Sequence, residues 1–397
     1  MKLKITGPQP LNGQVTVGGA KNAALKVMAA SLLAKGPCEI ASVPQIDDVK
    51  IMAEVLRRLG ATVEFLPDNS VVIDPSGVDT LEPPEELVTK MRASIQVMGP
   101  LLARFGYVKT KQPGGCNIGP RPIDLHLKGF LALGAEIKEE NGYVSAKASQ
   151  LKGAEILLDV PSVGATENIM TAACVAEGTT VIRNAAREPE IIDDQNFLNR
   201  LGANIKGAGT DTIKIRGVRD LFATNYTVIP DRIEAATFMI AIAVTGGEVH
   251  IENVIPEHQQ ALIAKLREIG VEVIEKDNYV VVRRPWRQRI QASSIRTLPY
   301  PGFPTDAQPQ FAAAMTLAGG TSKITEGVFP LRFKYTEELA RMGAKVTVDG
   351  KKATIVGVPK LYGNILEAPD LRGGAALILA SLAAEGITEL SGIEHID

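Results

Sequence analysis

The chain has 397 residues, 45% of them hydrophobic, and a formal net charge of -2 at pH 7. That is enough apolar material for two or three domains with buried cores, and the charge balance excludes the basic field of a nucleic-acid binder. Three cysteines, Cys38, Cys116 and Cys174, are too few and too far apart for a disulfide framework or a zinc site. The first residues turn polar too early for a signal peptide, and apolar runs such as 375–384 reach about half the length of a membrane span. A cytoplasmic protein without membrane insertion is the expectation.

From the N-terminus onward, one pattern recurs six times: an apolar, small-residue helix that ends at a glycine and leads into a strand. The glycines are Gly36, Gly106, Gly178, Gly247, Gly320 and Gly386, spaced 70, 72, 69, 73 and 66 residues apart. Ala-rich sequence favours helix, glycine supplies the left-handed residue that closes it, and alternating segments such as Glu248-Val249-His250-Ile251 read as strands. A second pattern is interleaved with the first. Leu59-Gly60-Ala61, Leu133-Gly134-Ala135, Leu201-Gly202-Ala203, Ile269-Gly270-Val271 and Met342-Gly343-Ala344 each close an amphipathic helix before another strand. A sixth copy would fall beyond Asp397, so the sixth unit is expected to be cut short.

Each unit then holds two helices and several short strands, a βαβαββ-type unit of an α/β protein. The helices of the first pattern are apolar almost all round, which marks them as buried; those of the second, such as 47–59, sit outside. Solenoid repeats are shorter and need no buried central helix, so two globules of three units each fit better. A break at Val228-Ile229-Pro230 divides the units three and three. A cleft between the two is the expected ligand site.

The chemistry is sought at the starts of the buried helices: Lys21-Asn22, Arg92 to Ser94, Gly164 to Glu167, Asp231-Arg232, Thr305-Asp306 and Asp370 to Arg372. Helix N-termini attract anions. Recurring Lys and Arg at such starts oppose the helix dipole, which points to a site for several anionic groups. Ordinary N-capping by Thr305-Asp306 and Pro369-Asp370 is the competing reading. Residues 112–124 form a loop with three glycines and three prolines around Cys116. A thiol there, near Arg121, suits a proton donor or nucleophile, whereas Cys38 and Cys174 read as buried and inert. His126 follows the loop and could face the cleft; Trp286 reads as a surface strand end. No histidines have metal-ligand spacing, and no Rossmann or P-loop glycine pattern is present, so neither a metal nor a cofactor is expected.

In order along the chain stand Gly18 to Ala24 (GGAKNAA), Pro113 to Cys116 (PGGC), Arg121 to His126 (RPIDLH), Ser162 to Thr166 (SVGAT), Asn184 to Glu190 (NAAREPE), Phe303 to Asp306 (FPTD) and Asp370 to Arg372 (DLR). Together they resemble the UDP-N-acetylglucosamine 1-carboxyvinyltransferase family of the EPSP synthase superfamily, over essentially the whole chain. The resemblance implies a two-domain inside-out α/β barrel in which the N-terminal strand joins the second domain, giving one domain of residues 22–229 and another of 1–21 with 230–397. It implies phosphoenolpyruvate and UDP-N-acetylglucosamine as substrates, joined through a tetrahedral ketal with loss of phosphate. On that resemblance, Lys21, Asn22 and Arg121 contact phosphoenolpyruvate. Arg92, the stretch Arg121, Pro122, Ile123, Asp124 and Leu125, then Ser162, Val163, Gly164 and Val328 hold the UDP-sugar. Asp306 takes the sugar hydroxyl proton, Cys116 protonates the methylene carbon and is the target of fosfomycin, and Arg332, Asp370 and Arg372 line the pocket.

Val160 stands where many relatives have a lysine. The family also continues past Asp397 with an arginine that grips phosphoenolpyruvate, so weakened stability and activity are expected of this chain. The sister enzyme acting on shikimate 3-phosphate shares the barrel and is not expected to carry the cysteine loop. A non-catalytic UDP-sugar-binding paralogue is the alternative from another class.

Overall fold

The computed structural model describes residues 2–113, 119 and 122–395. Two compact units divide the described residues: 18–113 with 122–229, and 2–17, 119 and 230–395. The first contains the buried helices Lys21–Ala30, Met98–Phe105 and Val163–Ala173; the second contains Arg232–Thr245, Gln308–Met315 and Leu371–Ala383. In Gln308–Met315 every side chain is buried, and in Val163–Ala173 nine consecutive residues from Ala165 are. Helices of this kind have no solvent face to offer, so they pack on one another and on the inner faces of sheets. Each unit has one continuous apolar core shared by helices and strands.

Four of the six sheets repeat one order. The strand that follows a buried helix pairs with a parallel edge strand on one side and with an antiparallel hairpin on the other. In one of them Thr179–Arg183 lies between Glu155–Leu157, parallel, and Thr212–Arg216, antiparallel. Ile182 then stands opposite both Ile156 and Ile213, and all three side chains are buried. The period-two alternation buries Thr180 beside Ile182 and turns Thr179, Val181 and Arg183 the other way.

Three pairings join segments far apart in sequence. Asn225–Thr227 supplies the parallel edge for Cys38–Ala41, Leu11–Thr16 does the same for Gly247–Glu252, and Leu3–Gly7 pairs antiparallel with Gly386–Ser391. The N-terminal strands therefore belong to the unit of residues 230–397.

The glycine pattern has a direct structural cause. At all five Leu-Gly-Ala-type sites the glycine has positive φ, from 90° at Gly134 to 110° at Gly202. Its N–H donates to the carbonyl three residues back, and the next N–H donates to the carbonyl five residues back. At the first copy these are Gly60 to Arg57 at 2.9 Å and Ala61 to Leu56 at 3.0 Å; at the last, Gly343 to Ala340 at 2.9 Å and Ala344 to Leu339 at 3.1 Å. This is the Schellman arrangement, which ends the helix and satisfies its last carbonyls. The six glycines of the other pattern also have positive φ. Among them Gly106 directly caps its helix, at φ 70°, while Gly36, Gly178 and Gly320 lie in the turn between helix and strand.

Gly60 and Gly134 separate two costs of replacing such a glycine. A Cβ on Gly134 meets nothing within 4 Å, whereas one on Gly60 would sit 2.4 Å from the Gly77 carbonyl oxygen. Gly134→Ala is expected to lose about 1–2 kcal/mol from backbone strain alone, and Gly60→Ala more, both read from denaturant unfolding of the same unit. Equal losses would mean that the Gly77 carbonyl yields freely.

Candidate active site

In the unit of residues 18–229, Lys21 and Asn22 are the first two residues of their helix rather than residues before it. Ala20 at the N-cap offers no side-chain bond, and Lys21 Nζ pairs with Asp48 at 2.9 Å. A carboxylate of the chain thus sits beside the cation that the dipole disfavours. Arg92 opens the 3-10 turn Arg92–Val97, and its Nη2 donates to the Pro122 carbonyl at 3.3 Å. That bond brings Arg92 to Pro122, Ile123, Asp124 and Leu125. Asp124 starts the helix Asp124–Ala132, where its charge suits the dipole. Ser162 caps the next buried helix, its hydroxyl accepting the Ala165 N–H at 3.4 Å, and Val163 and Gly164 form the first turn.

One buried amide joins these three segments. Asn168 Oδ1 accepts the Gly99 N–H at 2.6 Å, while its Nδ2 donates to the Ile95 carbonyl and to His126 Nδ1, each at 3.0 Å. His126 therefore accepts at Nδ1 and carries its proton on Nε2. Burial first, then the charges of Arg92 and Lys26, push its pKa down to about 3, so the ring is neutral. A Cβ on Gly164 would approach Gln96 Nε2 to 3.1 Å and the His126 ring to 3.3 Å, which is why the helix start carries a glycine there. His126 is buried, 4% exposed.

Behind this layer lies a buried acidic group. Lys26 Nζ contacts Glu167 at 2.7 Å, and among the described residues Asp194 has no hydrogen-bond partner for either oxygen. Burial pushes Glu167 up to about 7 against the pull of Lys26, and Asp193 up to about 7 against the Tyr226 hydrogen bond. Asp194 is raised as well, by burial and then by Glu167.

The other unit holds the second set. Asp306 lies in the 3-10 turn Thr305–Ala307 and caps no helix. Its Oδ1 takes a hydrogen bond from Arg332 Nη1 at 2.6 Å, and Arg372 Nη2 lies 3.7 Å from Oδ2. Burial alone would push this carboxyl up, but Arg372 and Arg332, with Arg232 beyond, hold it well below the usual carboxylate range. Asp370 is an N-cap, its Oδ1 accepting the N–H groups of Arg372 and Gly373 at 3.0 Å each. The N-cap reading is therefore right for Asp370 and wrong for Asp306. Val328 donates its N–H to Glu326 at 2.8 Å. Cys116 and Arg121 lie outside the described residues. Val160 is 58% exposed, Cys38 and Cys174 are buried, and Trp286 is exposed beyond the strand Tyr279–Arg284. Among the described residues no group of His, Cys, Asp and Glu is placed to hold a metal ion.

Gln96, Asn168 and Glu326 were not singled out from the sequence. Their signal is a polar side chain buried in an otherwise apolar element, legible only once burial is known.

The enclosed helices and outer sheets are the architecture of the enolpyruvyl transferases. The chain superposes on the enolpyruvyl transferase NikO from Streptomyces tendae with TM-score 0.90 at 26% identity, covering 99% of this chain and 93% of that one. An EPSP synthase from Acinetobacter baumannii shares the fold, with TM-score 0.74 at 22% identity over 99% of this chain and 94% of that one. A sequence model of the family described as EPSP synthase (3-phosphoshikimate 1-carboxyvinyltransferase) matches residues 5–397. The chain is 52% identical to UDP-N-acetylglucosamine 1-carboxyvinyltransferase 3 of Caldanaerobacter subterraneus, over 100% of this chain and 94% of that protein. It is 53% identical to UDP-N-acetylglucosamine 1-carboxyvinyltransferase of Finegoldia magna, over 98% and 92%. The chain belongs to the EPSP synthase family, and within it to the UDP-N-acetylglucosamine 1-carboxyvinyltransferases.

The buried acids give a pH dependence of known sign. Glu167 and Asp193 hold protons more tightly folded than unfolded, so their contribution favours the folded state below about pH 4 and is lost as pH rises to about 7. Asp194→Asn removes a carboxyl whose burial disfavours the ionised form and is expected to raise the thermal midpoint by about 2–4 °C at pH 8, less at pH 5. A midpoint unchanged at pH 8 would mean that the carboxylate is not destabilising.

Proposed function

We propose that the protein transfers the enolpyruvyl group of phosphoenolpyruvate to the 3′-hydroxyl of UDP-N-acetylglucosamine, releasing inorganic phosphate, the first committed step of peptidoglycan precursor synthesis. The observation that carries this reading is 52–53% identity, along nearly the whole chain, to relatives named for that reaction. The proposed setting is the cytoplasm; no described helix is long and apolar enough to cross a membrane.

Lys21, Asn22 and Arg121 are assigned to phosphoenolpyruvate, whose phosphate and carboxylate call for charge-assisted donors. Arg92, Arg121, Pro122, Ile123, Asp124, Leu125, Ser162, Val163, Gly164 and Val328 are assigned to the UDP-sugar, and Arg332, Asp370 and Arg372 to substrate binding as well. Asp306 takes the proton of the 3′-hydroxyl as that oxygen bonds to C2 of phosphoenolpyruvate, and the Cys116 thiol gives its proton to the methylene carbon. The product is a tetrahedral ketal that still carries phosphate. In the elimination the Cys116 thiolate takes a proton back from the methyl group. The bond from C2 to the phosphate oxygen breaks, and phosphate leaves with the proton held by Asp306.

The two guanidiniums on Asp306 bear on the first step. A carboxylate held so low is a weak base. An anionic substrate that shares Arg372 and Arg332 dilutes their hold and raises its basicity, so the base is strengthened when phosphoenolpyruvate is present.

Phosphate release tests the reading, with UDP-N-acetylglucosamine and shikimate 3-phosphate as parallel acceptors. Release that requires the UDP-sugar and stops with fosfomycin is expected; release with shikimate 3-phosphate instead, or binding of the UDP-sugar without turnover, would overturn it. Asp306→Asn should lower the rate by about 10²–10⁴-fold while the calorimetric Kd for the UDP-sugar moves by less than about threefold. A near-normal rate would remove Asp306 from the role of base.

A further inference from the structure

Glu326 follows the strand Thr321–Thr325 and is 1% exposed, yet its carboxylate is fully engaged. Its Oε1 accepts from Thr297 Oγ1 at 2.6 Å and from the N–H groups of Val328 at 2.8 Å and Phe329 at 3.0 Å; its Oε2 accepts from Thr305 Oγ1 at 3.0 Å. Four donors converge on one acceptor-only group. A carboxamide in its place would turn an N–H against at least one of them.

The consequence runs toward Asp306. The Thr305 hydroxyl has one hydrogen, and Glu326 takes it. The hydroxyl oxygen is then free only to accept, and it accepts from Arg332 Nη1 at 3.0 Å. The same Nη1 donates to Asp306 Oδ1 at 2.6 Å, so both of its hydrogens are directed. Arg332 is also held from below: its guanidinium carbon lies 4.8 Å from the centre of the Phe329 ring, and Phe329 is the residue whose N–H Glu326 binds. Glu326 thus fixes the orientation of Arg332 by two routes, through a hydroxyl and through a ring. Thr297 completes the frame, its Oγ1 accepting the Gly327 N–H at 2.8 Å.

Resting on the functional reading above, we propose that Glu326 is a positioning residue for the proton-abstracting Asp306, acting through Thr305 and Arg332, and that the same carboxylate shapes the Gly327–Phe329 turn that presents Val328. It touches no substrate in this scheme. Its effect is to hold the hydrogen-bond direction along Glu326, Thr305, Arg332 and Asp306 in one sense.

Thr305 is the sharper place to test this, because its hydroxyl carries the chain without packing the turn. Thr305→Val, Thr305→Ser, Glu326→Gln and the Thr305→Val/Glu326→Gln double variant are compared by phosphate release, by calorimetric binding of UDP-N-acetylglucosamine and by thermal midpoint. Thr305→Val should lower kcat by about 10- to 100-fold with sugar binding and midpoint little changed, and Thr305→Ser should restore kcat. Glu326→Gln should lower kcat and also weaken sugar binding through Val328, and the double variant should be no slower than Glu326→Gln alone. An active wild type with Thr305→Val at the wild-type kcat would overturn the inference, as would Thr305→Ser no faster than Thr305→Val, or losses that multiply in the double variant. Should Glu326→Gln fail to fold, the two Thr305 variants decide the matter. A wild type that releases no phosphate overturns the functional reading, and this inference with it.

Discussion

Six helices with almost no polar face must be shielded from water, and the chain does this by placing sheets between them and solvent. Fully burying one Leu, Ile or Met side chain is worth about 1.5–3 kcal/mol, and each unit gathers dozens of such residues into a single core. The small side chains of these helices serve the same end. In Gln308–Met315 three consecutive alanines, Ala312, Ala313 and Ala314, are wholly buried, which lets neighbouring elements approach closely. A helix buried along its length can offer polar chemistry only at its ends, and Lys21, Asn22, Ser162, Asp370 and Arg372 stand where such helices begin.

The cations at those beginnings look, from sequence, like unbalanced charges awaiting an anion. In the folded chain two of them already have carboxylate company: Lys21 pairs with Asp48, and Arg372 shares Asp306 with Arg332. Both cations thus have an acidic partner before any ligand arrives. An incoming anion does not fill a void; it competes with the chain's own acids. For Lys21 the exchange is with a surface-lying partner, for Arg372 with the assigned base itself. The same carboxylate then reports to the reaction whether its cations are occupied elsewhere.

Much of the architecture could be read because it is written in backbone chemistry. The Leu-Gly-Ala sites needed a left-handed residue after a helix, and glycine was found at each of the five; that is a local requirement, visible without knowledge of the fold. The helices were recognisable by their lack of a polar side, and the strands by alternation. What escaped depends on burial and direction. Thr305-Asp306 and Pro369-Asp370 look alike in sequence, yet Asp370 folds its carboxylate back on its own helix and Asp306 turns toward two arginines. His126 was placed by its neighbours in the chain, and the residue that fixes it, Asn168, lies 42 positions away. Glu326 reads as an ordinary acid at a strand end, and only the convergence of four donors distinguishes it.

The long-range strand pairings bear on how the molecule comes into being. Cys38–Ala41 obtains its parallel neighbour from Asn225–Thr227, so the first sheet of that unit stays incomplete until nearly the whole of the unit has been synthesised. The other unit waits longer still: Leu3–Gly7 finds its partner in Gly386–Ser391, which is synthesised only after the whole stretch between them. Between those events the chain must hold two exposed strand edges out of contact with other chains. Closing such distant ends is slow. The unit that contains residues 18–229 therefore has the opportunity to finish first, while Leu3–Gly7 remains unpaired until Gly386–Ser391 has been made.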